Sequence, residues 1–205
     1  DRMANNPRMT VFLMGLPDTC MAAVAHGVIG KTRMFVTGAN TIADMYHQIL
    51  TEEVFGRSGS SRADRDEVGA RPRQNIRAAA MRWLRDKGGP FIASTILVYG
   101  FPESVSEARL FLASGDDHPA LVIQLLMSED EVLSNLSKYL EREAADICAR
   151  AWKTRIPDFR SVLSSSVEGV AFATVNMEGR SIKDVCSEIV RLIEAHRQKL
   201  IGEGR

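Results

Sequence analysis

The chain has 205 residues, 45% hydrophobic and 25% charged, with a formal net charge of +0. That length gives one domain with a full core or two small ones. The balanced charge excludes the electrostatic footprint of a nucleic-acid binder or of a protein drawn to an anionic membrane.

Residues 1–9 are polar and read as a frayed end, with Met3 and Met9 as candidate starts. "TVFLM" (Thr10 to Met14) reads as a short buried strand, and "DTCMAAVAHGVIG" as a helix ending at Gly30. Together they have the outline of a phosphate-binding loop: apolar strand, glycine, tight turn, helix. "RMFVTG" is a second strand-like run. "TIADMYHQILTEEVF" has helical periodicity, with Ile42, Met45, Tyr46, Ile49 and Val54 on one face. Gly56 to Arg71 is rich in glycine, serine and mixed charge, and reads as an exposed, mobile loop. Pro72 opens the next helix and Gly88-Gly89 stop it.

"FIASTILVYG" is a near-continuous apolar run, as expected of a strand covered on both faces. "ESVSEARLFLA" is a helix and "ALVIQLL" another buried strand. Ser128 is a cap for "EDEVLSNL", whose acids lie in the first turn. Helix is expected to run on to about Thr154, with a break near Ala144. "VAFATV" is the last strand and "SIKDVCSEIVRLIEAHRQKL" the last helix. Five strands alternating with helices predict an α/β fold, a doubly wound parallel sheet with helices on both faces.

Cys20, Cys148 and Cys186 are odd in number and far apart, with no Cys-x-x-Cys pair. That fits reduced thiols in an intracellular, cytoplasmic protein. No apolar run is long enough to span a bilayer, and there is no signal-peptide pattern. His26, His47, His118 and His196 show no metal-ligand spacing. Buried thiols and exposed imidazoles are the expectation, and no metal site is assigned. Met34, Met45, Met81, Met127 and Met177 lie in apolar runs and read as core filler. Trp83 and Trp152 read as packing groups.

Four stretches, in order, resemble the adenylate kinase family of nucleoside monophosphate kinases. "FLMGLPDTCMAA" is similar to the first strand and the Gly-x-Pro-Gly-x-Gly-Lys-Gly phosphate loop. "FVTGAN" is similar to the Ser-Thr-Gly-Asp segment on the monophosphate side. "LVYGFPESVSEA" resembles the Asp-Gly-Phe-Pro-Arg segment after the third strand. "VNMEGRSIKDVCSEI" resembles the loop near the adenine, with Gly179, and the final helix. The resemblance implies a single domain over residues 1–205. A monophosphate-side helical insertion would cover about 39–89 and a shortened lid about 137–155. It also implies ATP, AMP and magnesium as ligands, so far as residual binding survives.

The departures fall on the chemistry. In the loop Gly15, Pro17 and Thr19 stand in the turn. Asp18 and Cys20 replace its glycines and Met21 its lysine. A phosphate loop works because glycines let successive backbone N–H groups converge on the phosphate. Asp18 adds a negative charge and Cys20 a side chain. With Met21 in place of the lysine, the lost ammonium removes stabilisation of order ~3–4 kcal/mol, by analogy with one lost electrostatic donor. On the monophosphate side Thr37 and Gly38 match, but Ala39 replaces an aspartate and Ile42 an arginine. Gly100, Phe101 and Pro102 match, but Glu103 replaces an arginine and Tyr99 the aspartate linked to magnesium. In the lid Arg142, Arg150 and Arg155 are available, while the core arginine falls on Ile147.

Three readings of the loop stay open. It could be a rewired site with Cys20 as nucleophile, its pKa lowered at a helix start. It could still hold a nucleotide weakly. Or it is a decayed loop that only joins strand to helix, the reading preferred here. The expected function is a catalytically inactive adenylate-kinase-like protein with no catalytic residues, acting as a binding or structural module for a protein partner. The alternatives are a weak nucleoside monophosphate kinase and a sensor that binds an adenine nucleotide without turnover.

Overall fold

A computed structural model describes residues 9–29, 34–56, 71–87, 94–112, 120–155 and 170–203. The expectations for the polar start, the mobile loop, the Gly88-Gly89 stop and His118 lie outside them. Five strands form one parallel sheet: β1 (Met9–Met14), β2 (Phe35–Gly38), β3 (Thr95–Tyr99), β4 (Ala120–Leu126) and β5 (Val170–Asn176). Their order is β2-β3-β1-β4-β5. β1 is central, with Thr10 beside both Ile96 of β3 and Ala120 of β4.

Side chains alternate across each strand, so one apolar run builds two cores. Val11, Leu13, Leu97, Ile123 and Leu125 face one side; Phe12, Met14, Ile96, Val98 and Val122 face the other. The first side is covered by α1 (Asp18–Ile29), α5 (Glu129–Leu136), α6 (Arg142–Arg155) and α7 (Ile182–Gly202). The second is covered by α2 (Ala39–Gly56), α3 (Arg73–Lys87) and α4 (Val105–Leu112). On that side Phe12, Phe101 and Phe111 pack as three tilted or edge-on rings, with centroids 5.1 to 5.4 Å apart.

Local chemistry sets the helix ends. The hydroxyls of Ser128 and Ser181 accept the N–H groups of Glu131 and Asp184, capping α5 and α7. The expected break near Ala144 falls earlier, at 137–141. There the Ser137 hydroxyl donates back to the Leu133 carbonyl at 2.8 Å. The Lys138 and Tyr139 N–H groups then bond three residues back, which tightens and ends the turn. Cys186 is buried as expected, but Cys148 is exposed, on the outward side of α6. His26 is exposed; His47 and His196 are half-buried because they sit beside the apolar stripes of α2 and α7. Met34, Met81 and Met177 are buried; Met45 and Met127 are partly so. Trp83 packs on Tyr46, with centroids 5.6 Å apart.

Candidate functional site

The turn between β1 and α1 follows the expected outline. Leu13 and Met14 are buried and helix begins at Asp18. The Pro17 carbonyl accepts the N–H groups of Cys20 (2.9 Å) and Met21 (3.1 Å), closing the first turn. The side chains of Asp18 and Thr19 lie outside the described residues. Gly15 has φ of +107°, and a Cβ there would stand 2.4 Å from the Leu125 carbonyl oxygen. This glycine is therefore demanded by the close approach of β4. Its own carbonyl accepts the indole N–H of Trp152, 2.6 Å away on α6.

The remaining loop positions point to packing. Met21 is 3% exposed, inside the α1-side core. Cys20 is half-buried, and burial pushes its thiol pKa up, only partly opposed by Lys138. The lowered pKa expected at a helix start is thus corrected: desolvation outweighs the helix terminus.

On the other side of the sheet end, Thr37, Gly38 and Ala39 are buried and Ile42 is wholly enclosed by the second core. A Cβ on Gly38 would meet the Tyr99 ring at 3.2 Å. Gly100 donates its N–H to the Leu13 carbonyl at 2.9 Å, and Phe101 and Pro102 are buried. The centre here is Arg77 of α3, 2% exposed. Its Nε donates to Glu107 Oε1 (2.6 Å) and its Nη2 to the Gly100 carbonyl (2.5 Å). Its Nη1 donates to Asn40 Oδ1, and Glu103 lies 3.6 Å away. A buried guanidinium needs this set of acceptors. Arg77 borders a cavity of about 280 Å³ with Asn40, Thr41, Tyr99 and Gly100. Sequence reading missed Arg77, although its signal was legible. In "NIRAAAMRWL" it falls on the buried stripe with Ala80, Met81 and Leu84.

A second cavity, of about 410 Å³, lies between α1, α5 and the turn after β5. Cys20, Val24, Met127, Glu131, Lys138, Met177 and Arg180 are among its lining residues. Gly179, at φ +66°, donates its N–H to Glu131 Oε1 at 3.3 Å. Arg180 pairs with Glu188 at 2.5 Å.

The predicted site residues are therefore divided. Gly38 and Gly100 border the smaller cavity, Cys20 and the Glu131 partner of Gly179 the larger. Thr37, Phe101, Pro102 and Met21 belong to neither. Arg142 and Arg150 are exposed and line neither cavity; the Arg155 side chain lies outside the described residues. Ile147 is 56% exposed. These residues do not fit a magnesium polyphosphate. The position that the resemblance gives to the loop lysine holds a buried thioether, the position it gives to the aspartate a tyrosine ring against Gly38, and the buried Arg77 guanidinium is already held by Glu107. Among the described residues no group of three His, Cys, Asp or Glu side chains could hold a metal ion. No helix among them is long and apolar enough to cross a membrane.

No protein-family model matches the sequence, and no curated protein does. Solved structures do match. Shikimate kinase from Acinetobacter baumannii, in complex with shikimate, is 15% identical, with 91% of this chain and 93% of that chain covered and a TM-score of 0.53. The Deinococcus radiodurans tunicamycin resistance protein is 9% identical, with 92% and 96% covered and a TM-score of 0.49. The likeness to shikimate kinase establishes the P-loop kinase-like fold. The chemistry must come from this chain's own residues.

Proposed function

We propose that the chain is an adenylate-kinase-like protein that has given up phosphoryl transfer and serves as a binding module. One observation carries this reading: Met21 and Ile42, at the positions of the loop lysine and the monophosphate arginine, are core residues, 3% and 0% exposed. Phosphoryl transfer rests on positioning and on cations that neutralise the moving charge. Here both positions supply packing, and Glu103 faces Arg77 where a further cation would stand. The test is a coupled assay with ATP, AMP and magnesium. Each lost electrostatic donor costs ~10²–10³ in rate, so turnover is expected at least ~10³-fold below that of a competent kinase. Turnover within tenfold of ~1–100 s⁻¹ would overturn the reading.

The bound species is a protein partner or a nucleotide. The larger cavity favours the nucleotide sensor as second reading, because its 410 Å³ falls within the ~300–1,000 Å³ of small-molecule sites. A thermal-shift titration with ATP and AMP, with and without magnesium, separates the two. A shift without turnover supports the sensor.

A further inference from the structure

We infer that the outward face of α6 docks a second copy of this chain, seated antiparallel about a two-fold axis at Ile147. Ala145 and Ala149 are buried and hold α6 against the α1-side core. Ile147 is two residues from each. At about 3.6 residues per turn, a step of two carries a side chain about 200° round the helix axis, so Ile147 points away from the core. It is 56% exposed. The most outward position of α6 thus holds a branched apolar side chain. Tyr139 and Leu140, in the turn just before α6, are 67% and 37% exposed and add apolar surface at the same end of the molecule. Exposed apolar surface rimmed by polar residues marks an interaction site. Ile147, Glu143 and Arg150 line neither cavity, so the proposed function stands or falls without this surface.

Charge says what the occupant is. Glu143 and Arg150, four residues before Ile147 and three after it, share one flank of the stripe; Ala144 and Ala151 share the other. Glu143 and Arg150 are exposed, and neither has an ion-pair partner among the described residues. Arg150 spends only its Nε, on the Asp146 carbonyl at 3.2 Å. When two copies of one helix pack antiparallel, each flank meets the same flank of its partner. Ile147 then lies on the second copy's Ile147. Glu143 meets the second copy's Arg150, and the symmetry repeats that pair on the other side of the axis. A parallel pairing would set the charged flank against the alanines and leave all four charges unmatched. The face is therefore self-complementary, as a two-fold interface requires. Ala144 and Ala151 let the helices come close, since the distance between axes depends on the side chains at the contact. One helix face buries little area, so the dimer belongs to the weak class.

Sedimentation equilibrium of the full chain tests this. A monomer–dimer equilibrium is expected, with Kd of order ~10–100 μM. Added salt should weaken it, because the paired charges lie at the surface. Ile147→Lys should weaken association at least about tenfold, because it puts a charge at the centre of the contact. Glu143→Arg and Arg150→Glu should each weaken it by about the same factor, since like charges then face each other. Mixed together, those two variants should pair with one another to within about threefold of the parent, because each supplies the charge the other lacks. All three positions face solvent, and circular dichroism melting checks that each variant folds. A chain that stays monomeric up to about 1 mM overturns the inference and leaves the face to a different protein. A dimer that survives Ile147→Lys overturns it too, as do two charge variants that fail to recover when mixed. Each of these outcomes leaves the turnover and nucleotide titrations of the proposed function as they were.

Discussion

Met21 stands at the position that the resemblance gives to a phosphate-loop lysine. In a phosphate loop it would carry an ammonium into solvent beside a ligand; here it completes a core. Met21→Lys would therefore put a charge into the core, and the expected cost is about 2–5 kcal/mol of stability, read from urea unfolding. The same variant should show no phosphotransfer, because groups acting as one unit are not restored singly. A second residue-scale prediction concerns acid. Burial, reinforced by Lys199 and opposed by Glu203, lowers the His196 pKa from 6.5. Its Nε2 is buried without a partner among the described residues, so a proton added there finds no acceptor. The folded state thus prefers the neutral ring. This stability is present above the ordinary value and is lost as pH falls through 6.5 toward the lower folded one. Urea midpoints should fall between about pH 8 and about pH 5, and by less in His196→Gln. Identical profiles for the two proteins would refute the assignment.

At the scale of elements, α6 matters for what it reaches. Through Trp152 it holds the Gly15 carbonyl and so fixes the turn between β1 and α1. Trp152→Phe keeps most of the ring packing and removes the donor. The expected loss is about 0.5–1.5 kcal/mol, with faster amide hydrogen exchange confined to Leu16 through Met21. Exchange that rises uniformly over the molecule would point to lost packing instead. No signal in the sequence joins Trp152 to Gly15, because contacts between distant elements leave no local periodicity. The elements themselves were legible for the opposite reason. "TVFLM" and "ALVIQLL" are apolar on both faces, and the serine caps of α5 and α7 announce helix starts. The end of α5 was misplaced because the turn there is closed by backbone bonds three residues back, from Lys138 and Tyr139, which composition does not reveal. The site was half legible. Glycines and their replacements were visible as letters, whereas the burial of Met21 and Ile42 exists only once the elements are packed.

For the whole molecule, the division of labour follows the two faces of the sheet. The face with α2, α3 and α4 is closed by the aromatic cluster and by the Arg77–Glu107 pair, which is buried at both ends. Breaking such a pair from one side leaves an uncompensated charge. Arg77→Met is accordingly expected to cost about 3–5 kcal/mol, and Arg77→Met with Glu107→Leu to recover part of it, measured as a double-mutant cycle in urea. Additive losses would mean that the two charges do not support each other. The strand order carries a different consequence, one of timing. β1 lies at the centre of the sheet, yet its neighbours are β3 and β4, so Met9 waits for Thr95 and Thr10 for Ala120. During synthesis this wholly buried strand leaves the ribosome long before either partner exists. Folding of this kind is slow, because distant segments must meet before any pairing is rewarded. Until then β1 is a sticky, unpaired edge. A nascent chain stalled before Ala120 should therefore need a chaperone to stay in solution, while the completed chain should not.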